Sequence, residues 1–469
     1  MEYVSTRGEA PVLGFADVLL AGLASDGGLY VPKVWPTLSP EDIGAMRGKP
    51  YADVALKILT PFVGTDIAPA DLKAMVDAAY GSFRHPAVAP LVQIGPSHFV
   101  LELFHGPTLA FKDVAMQLLS RLMDHVLKER GSNATIVGAT SGDTGGAAIA
   151  AFAKSARTDI FILFPKGRVS PVQQRQMTTS GAANVHAVAI EGTFDDCQAL
   201  IKAMFNDRRF REKTALSGVN SINWARIMAQ IVYYFTAAAS LGSPAQAVSF
   251  TVPTGNFGDI FAGYAAKRMG LPIDRLIIAT NENDILARTM TTGRYEKTGV
   301  HATTSPSMDI EVSSNFERLL FEAGGRDAEG VRRMMQQLAQ SGSFDLPEAT
   351  LAAIRAEFDA GRSDGAETAE TIRGSLVSSA YMLDPHTAVG VAVADKHLGD
   401  SPMVTLGTAH PAKFPEAVKA ACGVSPELPP SHADLMARQE TFDSLPNDLT
   451  AVETYIAERS RAVRTGASA

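Results

Sequence analysis

From about Asn133 onward, short apolar runs alternate with stretches in which apolar residues recur at helical spacing. Six runs predict strands: Ala134 to Ala139, Asp159 to Phe164, Asn184 to Ile190, Val248 to Val252, Arg275 to Thr280 and Pro402 to Leu406. Strands separated by amphipathic helices are the pattern of βα units around a parallel sheet, so an α/β fold is expected. The segment Asp113 to Arg130 puts Ala115, Leu118, Leu119, Leu122, Val126 and Leu127 on one face, carries Lys128 and Arg130 in its last turn, and stops at Gly131. That combination predicts a helix.

Residues 1–95 read differently, with dispersed Pro and Gly and helical pieces at Pro50 to Pro61 and Ala70 to Tyr80. They are expected to form an N-terminal lobe. A smaller α/β domain is expected over 96–240 and a larger one over 241–424, with a helical insertion at about 325–375, where no strand-like run occurs. The remainder, 425–469, predicts a polar helical tail that frays from Arg464 to Ala469.

Charge and cysteine usage narrow the function classes. A net charge of −8 supplies no general basic field, which argues against nucleic acid or an anionic membrane as partner. Any bound anion must therefore be held by local groups. Cys197 and Cys422 have no partner at metal-ligand spacing, so neither a metal site nor a disulfide framework is implied. The start, MEYVSTRGEAP, lacks a basic region followed by an apolar block, and the apolar stretch Val12 to Ala24 is too short to span a bilayer. A cytoplasmic chain is expected.

Four stretches carry chemistry. In HGPTLAFKD, His105 to Asp113, a lysine stands at the start of the predicted helix. Helix N-termini favour anions, so an amine there tends to lose its proton, which suits attack on an aldehyde. Its bland alternative is a solvated stem covering the helix start. ATSGDTGGAA, Ala139 to Ala148, follows a strand and opens a helix at Gly146 to Ser155; its glycines and hydroxyls suit a carboxylate or phosphate. TVPTGNFGDIFAGY, Thr251 to Tyr264, offers the N–H groups of Gly255, Asn256, Phe257, Gly258 and Asp259 at another helix N-terminus, without the Walker or G-x-G-x-x-G pattern. MVTLGTAHPAKF, Met403 to Phe414, ends a strand where open α/β sheets place ligand groups, at Thr408. The second and the fourth also have a plain turn or cap reading.

In this order the four motifs resemble the fold-type-II pyridoxal-phosphate enzymes, most closely the microbial and fungal threonine synthases. DGGLYVP (Asp26 to Pro32), NSINWAR (Asn220 to Arg226) and SPSMDIEVSSNFERLL (Ser305 to Leu320) add to the likeness. The resemblance implies two βα-sheet domains of the tryptophan-synthase-β-like kind and pyridoxal 5'-phosphate as cofactor. It implies Lys112 as Schiff-base lysine, Gly255, Asn256, Phe257, Gly258 and Asp259 as the cofactor-phosphate cup, and Thr408 at the ring nitrogen. Ser141, Asp143 and Thr144 then line the substrate side. Many members have Asn where this chain has Asp259. An ionised carboxylate would repel the phosphate, so its backbone N–H is expected to serve the cup while the side chain turns away.

The implied reaction converts O-phospho-L-homoserine and water to L-threonine and phosphate. A second anion must then be held, and Asn223 with Arg226 is the expected pair, since Arg binds phosphate through a planar fork and Asn can donate beside it. Lys166 and Arg168 are the next cations considered. A dehydratase or phospho-lyase of the same fold would share Lys112 and the cup, and a non-catalytic metabolite binder is the alternative outside enzymology. The microbial likeness implies a monomer.

Overall fold

The computed structural model describes residues 1–153 and 155–466. Two sheets organise it. The larger has six strands in the order Phe358–Arg362, Ile273–Thr280, Val248–Pro253, Met403–Gly407, His98–Glu102 and Leu91–Gln93. All neighbours are parallel except the last pair. The smaller has five strands, all parallel: Asp443–Pro446, Val185–Glu191, Thr158–Pro165, Ala134–Ala139 and Leu216–Ser217. Every residue of Thr158–Pro165 and of Val248–Pro253 is buried. Helices cover both faces of such strands, which is why they read as continuous apolar runs.

The six expected strands and the helices lie within a few residues of their predicted positions. Two expectations fail. The segment 325–375 is not purely helical, because Phe358–Arg362 pairs with Ile273–Thr280 as an edge strand and Ser343–Asp345 pairs with Arg294–Glu296. The tail is not purely helical either: Asp443–Pro446 adds to the smaller sheet before helix Leu449–Arg459. Both edge strands are short and polar, so they show no apolar run. The end of the tail, Arg464 to Ala469, extends beyond the described residues, and its expected fraying is left there.

Helix Lys112–Glu129 was expected to bury one face, yet 13 of its 18 residues are buried, including Asp113, Gln117 and Ser120. It is enclosed by helices Pro69–Tyr80, Asp143–Phe152 and Trp224–Ser240. Trp224–Ser240 buries 15 of 17 residues, the behaviour of a helix that is apolar nearly all round. Its first residue, Trp224, meets Phe62 at 5.6 Å, Tyr3 at 5.9 Å and Trp35 at 5.9 Å between ring centroids. The N-terminal segment is thus packed on the helix that carries Arg226.

Candidate active site

The HGPTLAFKD turn is built by Asp113. Its carboxylate accepts the Thr108 backbone N–H and hydroxyl, both at 2.7 Å, and a Cβ on Gly106 would lie 2.4 Å from the Asp113 side chain. Leu109 is held in the left-handed region at φ 62°. The turn is then zipped to the end of strand Met403–Gly407: the Phe111 N–H donates to the Thr408 carbonyl at 2.8 Å, and the His410 N–H to the Leu109 carbonyl at 3.0 Å. These bonds fix Lys112 beside Thr408.

Lys112 is buried, at 8% exposure, so it is not a solvated stem. Burial lowers its pKa, Asp143 opposes this, and the charges of Lys413 and Arg226 lower it further. Its Nζ lies 3.4 Å from Asp143 Oδ2 and 3.4 Å from Ser307 Oγ. Asp143 is buried in the first turn of helix Asp143–Phe152, three residues earlier than the predicted start. Burial raises its pKa, but Lys413, Lys112 and His386 outweigh this and hold the carboxyl well below the ordinary range. Ser141 and Thr144 are half-buried in the same loop. The Gly142 and Gly145 N–H groups both donate to Thr140 Oγ1 at 2.9 Å, so that hydroxyl takes two donors the glycine-rich loop was expected to offer an anion.

The glycine-rich turn before helix Gly258–Arg268 is held by its carbonyls. The Gly255 carbonyl accepts Ser313 Oγ at 2.6 Å, and the Asn256 carbonyl accepts the Asn315 N–H at 3.0 Å and Nδ2 at 2.8 Å. With those carbonyls anchored, the N–H groups of Asn256, Phe257, Gly258 and Asp259 take no hydrogen bond among the described residues, and they stand at the start of helix Gly258–Arg268. Phe257 has φ 61°, a conformation costing roughly 1–2 kcal/mol in a residue with a Cβ. Its buried ring packs on Phe316 and Phe358, at centroid distances of 5.4 and 5.9 Å, which holds the turn.

Asp259 turns its side chain away from the cup. Oδ1 accepts the Tyr233 hydroxyl, and the Tyr234 hydroxyl donates to the Asp259 carbonyl at 2.9 Å. Burial pushes the carboxyl up to about 7, against the pull of both tyrosines and Lys112. Below about pH 7 the carboxyl keeps its proton, which removes the repulsion a carboxylate would exert on a phosphate.

Thr408 Oγ1 and Arg226 Nε are buried polar atoms of this region without a hydrogen-bond partner among the described residues, as is Asp259 Oδ2. Arg226 is 3% exposed, donates through Nη1 to the Val219 carbonyl at 3.0 Å, and has no carboxylate partner among the described residues. Burial brings its pKa down to about 10. Asn223 is otherwise engaged: Oδ1 caps the helix through the Ala225 N–H at 3.0 Å and Nδ2 donates to the Leu19 carbonyl at 2.9 Å. Lys166, by contrast, pairs with Glu191 at the surface, and Arg168 is exposed.

Several residues in quoted motifs carried no role in the sequence reading. Ser307 lies between Lys112 and His386, whose Nε2 accepts the Ser307 N–H at 3.2 Å. Arg318, fully buried, donates to the carbonyls of Tyr30 (3.0 Å) and Ile222 (2.6 Å) and to Asn315 Oδ1. One guanidinium thus joins DGGLYVP, NSINWAR and SPSMDIEVSSNFERLL to the cup. The available signal was an arginine inside an apolar helix face, which nothing local explains.

The chain matches three family descriptions along its length: "Threonine synthase N terminus" at residues 2–80, "Pyridoxal-phosphate dependent enzyme" at 84–369 and "Threonine synthase, C-terminal" at 387–456. The chain belongs to the threonine synthase family. It is 54% identical to threonine synthase of Pseudomonas aeruginosa over 98% of both chains. Its structure resembles PLP-bound threonine synthase from Brucella melitensis, with TM-score 0.97 and 68% identity, covering 98% of this chain and 100% of that one. The yeast threonine synthase structure follows with TM-score 0.93 and 39% identity, over 98% of each chain. Family membership carries the fold-type-II architecture and pyridoxal phosphate as cofactor. The site itself holds a buried amine at Lys112, a buried hydroxyl without a partner at Thr408 and backbone N–H groups without acceptors among the described residues.

Proposed function

We propose that this chain catalyses the threonine synthase reaction, converting O-phospho-L-homoserine and water to L-threonine and phosphate. The observation that carries the reading is the pairing of Lys112 with two buried, unpartnered polar atoms, Thr408 Oγ1 and Arg226 Nε, in a chain similar to threonine synthases over its whole length. Pyridoxal phosphate, when bound, supplies the electron sink that lets protons leave carbon. Lys112 holds the cofactor, and its amine then takes the substrate Cα proton, a task that needs the free base. Gly255, Asn256, Phe257, Gly258 and Asp259 present backbone N–H groups to the cofactor phosphate. The Thr408 hydroxyl, which has no partner among the described residues, would serve the ring nitrogen as a neutral partner.

Arg226 holds the substrate phosphate and stabilises its charge as the Cγ–O bond breaks. A buried guanidinium with no carboxylate is costly until an anion arrives. Asn223 serves this site by fixing the helix start beneath Arg226, and Ser141, Asp143 and Thr144 line the substrate side. A Cβ proton also leaves before the Cγ–O bond breaks and phosphate departs; Cγ then gains a proton and becomes the methyl group, water adds at Cβ, and a proton returns to Cα to give threonine. Cytoplasmic residence, a monomeric state and no nucleic-acid partner belong to the same proposal; among the described residues, no helix is long and apolar enough to cross a membrane.

The test is product analysis with O-phosphohomoserine. Threonine and phosphate should appear in equal amounts, whereas a keto acid in place of threonine would make the chain a phospho-lyase or dehydratase. Lys112→Ala should be folded and inactive, and should lose the borohydride-fixed cofactor that the parent carries on the peptide containing Lys112.

A further inference from the structure

A second lysine is buried in the same site. Lys413 is 0% exposed, and its Nζ lies 2.9 Å from Asp143 Oδ1 and 2.7 Å from the Thr108 carbonyl. Gln173 Nε2 donates to the same carboxylate oxygen at 2.9 Å. Lys112 has only the other oxygen, at 3.4 Å, and shares it with Ser307 Oγ at 3.3 Å. We infer that Lys413 is a positioning residue for Lys112, holding Asp143 as a counter-ion shared between two amines so that Lys112 never has a carboxylate of its own. The inference rests on Lys112 being the reacting amine.

The arrangement is braced from the Lys413 side. Its short helical turn, Pro411–Lys413, is capped by His410, and the Lys413 carbonyl accepts Ser170 Oγ at 3.2 Å. Ser170 caps helix Pro171–Thr178, the helix that carries Gln173. Lys413 and Gln173 therefore reach Asp143 Oδ1 from mutually tied elements, at ordinary hydrogen-bond length, while Lys112 sits at the outer edge of contact with Oδ2.

The charged groups around Lys112 come from every neighbouring element. Asp143, Lys413, Arg226 and Asp259 interact with it, His386 acts on Asp143, and Asp113 in its own helix acts on Lys413. Burial raises the Asp259 carboxyl to about 7, whereas Lys413 and Lys112 hold the Asp143 carboxyl well below the ordinary range, so Asp143 is the firmly ionised carboxylate beside Lys112. An opposite charge within a few ångströms favours a protonated amine and a like charge disfavours it. Lys413 thus acts on Lys112 twice, by its own charge and by engaging Asp143.

The test compares the full-length parent with Lys413→Met, Lys413→Arg and Asp143→Asn. Two midpoints are followed against pH: that of the visible band of the cofactor-loaded protein, and that of acetic-anhydride labelling of Lys112 in the cofactor-stripped protein, read by peptide mass spectrometry. In Lys413→Met both should move up by about one unit or more, because Asp143 then serves Lys112 alone. Lys413→Arg should stay near the parent, and Asp143→Asn should move both down. If Lys413→Met does not fold, the opposite-signed shift in Asp143→Asn and the near-parent midpoint in Lys413→Arg remain decisive. A folded Lys413→Met with parental midpoints would overturn the inference, as would an Asp143→Asn midpoint that fails to fall. Borohydride trapping of cofactor on a peptide other than that of Lys112 would instead refute the reading of Lys112, and is scored separately.

Discussion

Asp259 makes the folded protein's stability depend on pH in a direction opposite to that of a salt-bridged carboxylate. Its ordinary value is 3.8 and burial raises it to about 7. Below 3.8 both folded and unfolded chains carry the proton, and above about 7 neither does. In between, the unfolded chain has lost a proton that the folded chain keeps, so stability falls as pH rises, by roughly 1.4 kcal/mol per pH unit. Across the interval the loss approaches roughly 4 kcal/mol, within a group that is 7% exposed and so is little screened. Asp259→Asn keeps an acceptor for the Tyr233 hydroxyl and cannot ionise. The difference between variant and parent should therefore be smallest at the acid end and widen progressively in the variant's favour up to about pH 7.5, then remain constant. Taking the difference between the two cancels every other titrating group. The same charge should weaken cofactor binding above about pH 7 in the parent and not in the variant. Parallel urea midpoints from pH 5 to 8 would show that Asp259 is ionised throughout and that the tyrosine contacts dominate its burial.

Three further outcomes are expected. Arg226→Ala should lower kcat/KM for O-phosphohomoserine about tenfold or more, since each charge-assisted bond to phosphate contributes roughly 1.5–3 kcal/mol; Arg226→Lys should recover part of this. Threonine binding should be untouched in both, and an equal loss for threonine would make Arg226 a structural residue. Thr408→Asp should change the visible spectrum of the loaded protein more than its cofactor occupancy, and an unchanged spectrum would put Thr408 away from the ring. Trp224→Ala should cost about 3–5 kcal/mol in urea unfolding, because it empties a fully buried aromatic cluster; a loss below about 1 kcal/mol would mean the cavity collapses.

The amino-acid order alone determined the βα pattern, the helix that begins at Lys112 and the glycine-rich turn before helix Gly258–Arg268, because these follow from periodicity and turn chemistry within a few residues. Strand Ala134–Ala139 coincides with its predicted span for that reason. Edge strand Phe358–Arg362 was invisible because its pairing comes from Ile273–Thr280 and its own residues are half polar. The site divides the same way. Lys112, Thr408 and Asp259 could be named from motifs, but the partner of each was not local: Thr408 meets the turn before Lys112, and Asp259 meets tyrosines 25 and 26 positions away. Lys413 stood in a quoted motif and still gave no sign of its role, since its carbonyl partner, Thr108, lies 305 positions earlier. Only the tertiary structure decided that two buried amines share one carboxylate, because that sharing is set by which helices pack together and by the removal of water from between them, and neither is written in the spacing of residues along the chain.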